Sequence, residues 1–248
     1  GRTLLVDAGG PSPQGGFDIG DRVVGPALRA RSLASLDYLC VTHGDPDHLG
    51  GATAVLRDFG AREVWWGVPV PPHAPSAELR AEAERQRLPW RTLQRGDRID
   101  IGGAELRVHH PPPPDWERQR VRNNDSLVIE LRFGAVSMLL TGDIGREVEE
   151  ELVTSLDLLP LVVLKVAHHG SATSSSQTFL NHVRPIAALI GVGRGNTYGH
   201  PVPAVLDRLR EVGAETFRTD LDGQIQVVSD GKSIQVWTFT GRELSVER

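Results

Sequence analysis

The run Thr42-His43-Gly44-Asp45-Pro46-Asp47-His48-Leu49-Gly50-Gly51 constrains this chain more than any other stretch. It places two imidazoles and two carboxylates within six residues, directly after the apolar run Leu36-Asp37-Tyr38-Leu39-Cys40-Val41. Such a run reads as a buried strand, and a strand ending in a tight loop can aim alternate side chains at one point. His43 and Asp45 can therefore face one ion, and Asp47 and His48, past the Pro46 turn, a second. Four donors at this spacing are the signature of a metal site. Read as an ordinary polar turn, the same residues would be satisfied by backbone partners.

Three further strand ends carry chemistry. Leu140-Thr141-Gly142-Asp143 closes a hydrophobic strand with an acid, which alone is only a turn signal. Lys165-Val166-Ala167-His168-His169-Gly170-Ser171 puts two histidines after another strand. Adjacent side chains on an extended backbone diverge, so these two are expected to serve different roles. Asn196-Thr197-Tyr198-Gly199-His200-Pro201 precedes a helix whose free N–H groups suit an anionic group.

The loop pattern H-x-D-x-D-H resembles the first motif of the metallo-β-lactamase superfamily, H-x-H-x-D-H, with Asp45 in place of the middle histidine. Adding N-N-x-S at 123–126, L-T-G-D, K-V-x-H-H-G-S and N-x-Y-G-H-P, the whole chain resembles the metallo-β-lactamase-like domain of the ComEC family, membrane channels of bacterial DNA uptake. The resemblance implies an α/β (α+β) fold, the αββα sandwich. It also implies a two-metal hydrolase of DNA phosphodiesters, with His43, Asp45 and a bridging Asp143 on the first ion. Asp47, His48, Asp143 and His200 would hold the second. The carboxylate at 45 makes the first site harder, favouring Mn²⁺, Mg²⁺ or Fe over a histidine-held Zn²⁺, which stays possible; no organic cofactor is implied. Family members carry another metal-binding histidine before the strand at 126, and this chain has none. Either Asn124 or Asp125 lines the site instead, or the first ion takes more water.

Beside Asp47, the residues expected to act in catalysis are His168 and, second to it, His169, as the acid that protonates the leaving sugar oxygen. Ser171, Asn196, Asn124 and Arg122 are candidate substrate contacts. Arg118, Arg120, Arg122 and Arg194 can track a phosphate backbone, and Trp65, Trp66 and Trp116 can stack bases unless they simply pack. The implied biology is degradation of one strand of incoming DNA, single-stranded DNA being the expected partner. The domain would stand on the extracytoplasmic side of the cell membrane, joined in cis to the rest of a channel protein. Two other readings stay open: a metallo-hydrolase of a small lactone, thioester or phosphodiester, and a DNA-guiding module without catalysis.

Composition agrees with a globular chain. Apolar residues make up 39% and charged residues 24% of 248. No apolar run reaches membrane-spanning length, the longest candidate at 156–166 being broken by Pro160 and Lys165. A net charge of −5 does not advertise a nucleic-acid binder, although the proposed ligand carboxylates contribute to it. The single cysteine, Cys40, excludes an internal disulfide and reads as a small apolar strand residue. Residues 1–248 read as one domain. The chain opens in mid-fold, without a signal peptide, and is expected to be excised from a longer protein and to lack its first strand or strands.

Helices are expected at 51–59, 76–87 with Ser76 as N-cap, 147–152, 175–183 and 200–210. Strands are expected at 63–68, 161–166 and 187–192, with hairpins 98–108 and 126–140 and a closing pair around Asp230-Gly231. Pro111 to Pro114 form a stiff surface segment. Two sheets with helices outside both fit this order.

Overall fold

Leu39-Cys40-Val41 and Val64-Trp65-Trp66 are apolar without alternation, as strands covered on both faces must be. The computed structural model describes residues 1–10, 17–113 and 118–247, so Pro114 and Trp116 lie outside the described residues. The chain divides into two compact units: Gly1–Asp97 with His110–Leu127, and Arg98–His109 with Val128–Arg248.

The first unit alternates strands and helices: β1 (Leu4–Val6), α1 (Gly25–Ala30), β2 (Tyr38–Val41), α2 (Pro46–Leu49), α3 (Ala52–Phe59), β3 (Glu63–Trp66), α4 (Ala74–Arg85) and β4 (Trp90–Thr92). Its four strands lie in sequential order and every neighbouring pair is parallel. Leu39, Val41, Val64 and Trp66 meet Val55, Leu56 and Phe59 of α3 and Leu79 of α4 in one core. Trp65 is fully buried and stacked on Tyr38, and Trp66 is 4% exposed, so of the two roles open to them both take packing and neither can stack a base. Helix α4 begins two residues before the expected start, because Pro75 suits a first helical turn. Ser76 is therefore not the cap. It is buried, and its hydroxyl lies 2.6 Å from His73 Nδ1.

The second unit contains β5 (Arg98–Ile101), β6 (Ala104–His110), β7 (Val128–Phe133), β8 (Val136–Leu140), α5 (Arg146–Val153), β9 (Leu161–Lys165), α6 (Gln177–Val183), β10 (Ala187–Ile190), α7 (Pro203–Glu211), β11 (Glu215–Arg218), α8 (Thr219–Asp222), β12 (Ile225–Ser229), β13 (Ser233–Thr238) and β14 (Glu243–Glu247). Seven strands form one sheet in the order β11-β10-β9-β8-β7-β6-β5. From β8 through β11 the pairing is parallel, and the two hairpins are antiparallel. One face of this sheet, through Val128, Leu139, Val162, Leu164, Ala188 and Ile190, packs under α5, α6 and α7. Val136, Leu161, Val163 and Phe217 on the other face meet Ile234 and Val236 of a third, antiparallel sheet, β12-β13-β14. Among the described residues there are thus three sheets where two were expected. Helix α7 starts at Pro203 rather than His200, and α6 is capped by Ser176, whose hydroxyl accepts the Phe179 N–H. Among the described residues no helix is long and apolar enough to cross a membrane.

The loop between β9 and α6 is held from below. Glu149 of α5 is fully buried and its carboxylate accepts the N–H groups of Ser175 and, at 2.8 Å, Ser176. Arg208 of α7 donates to the Ser175 carbonyl at 2.7 Å. Glu149→Ala would leave two backbone donors without their acceptor. The expected loss is about 3 kcal/mol in total, or roughly 6–12 °C of melting temperature for a chain of this size. Thermal unfolding followed by circular dichroism checks it; an unchanged midpoint would mean water replaces the carboxylate at no cost.

Candidate functional site

In each unit the chemistry-bearing side chains follow the C-terminal ends of parallel strands, where loops can carry function without disturbing the ladder. In the first unit the loop after β2 holds all four expected donors. His43 is 4% and His48 2% exposed; Asp45 is half-buried and Asp47 exposed. His43 Nε2 is buried, meets no hydrogen-bond partner among the described residues, and lies 3.4 Å from Asp45 Oδ2. The His43 and His48 rings lie 4.2 Å apart.

The residue that orients His48 escaped sequence reasoning. Asp7, just past β1, accepts the Thr42 N–H at 2.7 Å and the Thr42 hydroxyl at 2.8 Å, and sits 2.7 Å from His48 Nδ1. A carboxylate on the far nitrogen fixes the tautomer in which Nε2 is an acceptor and raises its basicity. The only signal was an acid ending an apolar run before Gly9-Gly10. Gly9 is needed there for close approach: a Cβ on it would stand 2.2 Å from the His48 backbone nitrogen. A second overlooked residue is His73, which packs against Gly44. Burial holds its pKa below the usual histidine range, with Asp45 opposing.

The second unit supplies Asp143, His168, His169 and His200. Asp143, 2% exposed, follows β8 through Gly142. Its Oδ1 lies 3.4 Å from Lys165 Nζ, and its Oδ2 lies 3.4 Å from His169 Nε2 and 3.9 Å from His168 Nε2. Lys165 also donates to the Gly142 carbonyl at 2.9 Å. His169 Nδ1–H donates to the Gly191 carbonyl at 2.6 Å, which turns Nε2 towards Asp143. The two histidines do not stand on extended backbone: His168 (φ 48°) and His169 (φ 52°) are both left-handed. Their rings still diverge, at 6.5 Å and 73°. Gly170 follows at φ 82°, and a Cβ there would meet Pro201 at 2.5 Å. His200 lies 5.9 Å from the His168 ring, and its buried Nδ1 meets no hydrogen-bond partner among the described residues.

Both His168 and His200 titrate below the ordinary histidine range. At His168 burial dominates, Asp143 opposes it, and His169, His200 and Lys165 add to it. At His200 burial again leads, with His169 adding and Asp143 opposing. Neutral imidazoles are the form a metal needs. In the metal-free protein the folded chain then binds fewer protons than the unfolded one once pH falls below the unfolded value of about 6.5. These side chains therefore cost nothing above that pH and destabilise the fold progressively below it. Metal-free His200→Gln is expected to lose less melting temperature than the parent between about pH 7.5 and 5.5. Equal losses would show that burial at this position does not govern the titration.

The expected substrate contacts are scattered in character. Arg120, Arg122 and Arg194 are exposed, but Arg118 is not available for DNA: its Nε reaches both Asp125 oxygens at 3.0 and 2.9 Å. The same pair shows why Asp125 does not stand in for the missing histidine. His110 Nε2 donates to the Asn124 carbonyl at 2.7 Å, and His109 lies 2.9 Å from Glu130. Ser171 is buried with its hydroxyl 3.0 Å from that of Thr173. Asn196 is occupied by its own loop, donating to the His200 and Gly193 carbonyls at 2.8 and 3.3 Å and accepting the His200 N–H at 3.0 Å.

This pattern of strand-end donors is that of a metallo-hydrolase, and the chain belongs to the metallo-β-lactamase superfamily, whose family model matches residues 1–193. The mixed α/β fold expected of that family is the one observed, and the family implies divalent metal binding. More particularly, the chain is 31% identical over 232 residues to ComE operon protein 3 of Bacillus subtilis, covering 90% of this chain and 30% of that protein. It is 34% identical over 203 residues to Competence protein ComA of Neisseria gonorrhoeae, covering 81% of this chain and 26% of that one. The chain therefore spans less than a third of either relative. Among solved structures it resembles the metallo-beta-lactamase fold protein YhfI of Bacillus subtilis, with TM-score 0.51 and 12% identity over 87% of this chain and 83% of that one, a likeness of fold alone.

Proposed function

We propose that residues 1–248 form the hydrolytic domain of a DNA-uptake channel, a metal-dependent nuclease that degrades one strand of incoming DNA. The observation that carries this reading is the H-x-D-x-D-H loop, with His43 Nε2 buried, unbonded and turned to Asp45, in a chain similar to competence proteins. His43, Asp45 and Asp143 would hold one ion; Asp47, His48, Asp143 and His200 would hold the other, with His169 as a further donor. The carboxylate-rich set favours Mn²⁺, with Zn²⁺ or Mg²⁺ as alternatives. When bound, two such ions acidify water and neutralise phosphate oxygens.

The protein's own groups supply the rest. Asp47, exposed at the loop tip, would orient the attacking water. His168 would serve the leaving sugar oxygen from the protonated fraction, which Asp143 favours against burial. Lys165, beside Asp143, adds positive charge where a phosphate would develop negative charge. Ser171, Asn124 and the exposed Arg122 are the candidate phosphate contacts, and Asn196 holds the loop that carries His200. Because the chain spans less than a third of either relative, the remainder of a channel in the same polypeptide is the proposed partner. The cell membrane, with this domain on its extracytoplasmic side, is the proposed location.

The test is cleavage of labelled single- and double-stranded DNA by the purified chain under Mn²⁺, Mg²⁺ and Zn²⁺ separately, beside Asp47→Ala. Metal-dependent cleavage that disappears in the variant is the expected result. No cleavage by a chain shown to carry metal would overturn the nuclease reading and favour a small ester or phosphodiester substrate, or a guiding module.

A further inference from the structure

Tyr198 is 81% exposed, yet it does not stand on a frayed segment. Asn196 pins the loop on both sides of it, through the three hydrogen bonds to Gly193 and His200 described above. Gly195 and Gly199 turn the backbone at φ 67° and 70°, and side chains built at Gly193, Gly195 or Gly199 would meet nothing within 4 Å. The loop therefore holds an aromatic ring out into open solvent in a fixed place. That place is beside the candidate ligand His200, whose imidazole lies 19° from parallel to the Tyr198 ring at 5.9 Å. Phe239 is as exposed but stands in the turn between β13 and β14, against Gly223, with no candidate ligand near it in the described contacts.

An exposed ring alone is unremarkable. A rigidly presented one, backed on one face by a candidate metal ligand and open on the other, is a stacking platform. We infer that Tyr198 receives a nucleobase of the single-stranded substrate next to the phosphate being cleaved, which rests on the nuclease reading above. Stacking is indifferent to base identity, because every base has a π-face. This suits a chain that must process any incoming sequence. The contact belongs to binding: it holds the strand, and the hydroxyl of Tyr198 takes no part.

The test compares a twelve-residue oligothymidylate with an abasic strand of the same length, each cleaved by the metal-loaded parent, Tyr198→Ala and Tyr198→Phe. Tyr198→Ala is expected to raise KM for the thymidylate about 5- to 150-fold with kcat nearly unchanged, the range spanned by loss of one base–aromatic stack. Tyr198→Phe, which keeps the ring, should recover the parental KM. On the abasic strand the alanine variant should show no further loss relative to the parent. A parental KM in Tyr198→Ala would overturn the inference while leaving the nuclease reading intact. So would a phenylalanine variant as poor as alanine, an equal loss on the abasic strand, or a fall in metal content in Tyr198→Ala. If the metal-loaded parent cleaves neither strand, the nuclease reading fails and the inference falls with it.

Discussion

Asp143→Asn is expected to lower metal-dependent cleavage by about 100- to 1000-fold, the usual scale for removing one preorganised electrostatic element. The substitution keeps size and shape but removes the carboxylate that faces Lys165, His168 and His169. Asp143 is nearly fully buried, with Lys165 Nζ and His169 Nε2 each 3.4 Å from it. In the variant the Lys165 cation loses its counter-charge and faces the incoming divalent ion alone. Repulsion then adds to the lost ligand. Metal content by mass spectrometry should fall together with rate. A variant that keeps both its metal and a rate within a few-fold of the parent would remove Asp143 from the ligand set.

Asp7→Asn is expected to weaken metal binding by about 10- to 100-fold, the range seen when the group behind a ligating histidine is changed. The reason is a proton rather than a lost contact. With the carboxylate in place, His48 donates from Nδ1 and leaves Nε2 as an acceptor. An asparagine can still accept the Thr42 N–H through Oδ1, but its amide then presents N–H to His48 Nδ1. That moves the ring proton to Nε2, the atom needed for a ligand. The tautomer, not the fold, is what the variant should disturb. Competition titration against a chelator reads the affinity, and circular dichroism should stay unchanged. Unaltered affinity would reduce Asp7 to a strap between β1 and the loop after β2.

What could be read from the sequence follows how far each interaction reaches. Helix α3 was legible because Val55, Leu56 and Phe59 share one face within two turns. The donor loop was legible because six adjacent residues announce it. The loop's orientation was not, since Asp7 and His48 lie 41 positions apart and meet only through the parallel pairing of β1 with β2. Trp65 and Trp66 stayed open between stacking and packing for a related reason. Alternation makes one of two neighbouring strand residues available to solvent, but β3 is covered on both faces, so both indoles are buried. Arg118 looked free because its partner, Asp125, is brought to it by loop geometry. Strands β4 and β11, with three and four residues, were too short for any period to register. The left-handed pair His168-His169 ran against propensity, at a cost of about 1–2 kcal/mol for each residue, as strained residues at functional sites do.

The boundary between the two units is crossed three times, at 97/98, 109/110 and 127/128. Neither unit is therefore a contiguous piece of chain, and this bears on how the polypeptide can be made. As it leaves the ribosome, the first unit cannot close until Leu127 has emerged. By then the hairpin β5–β6 is already synthesised, while β7, the strand that lies beside β6 in the sheet, begins only at Val128. For that interval the nascent chain carries an uncovered sheet edge, the feature most prone to pair with the wrong neighbour. A cut after Asp97 takes His110–Leu127 from the first unit, and a cut after Leu127 takes β5 and β6 from the second and leaves the β7 edge exposed, so no single cut yields both units whole.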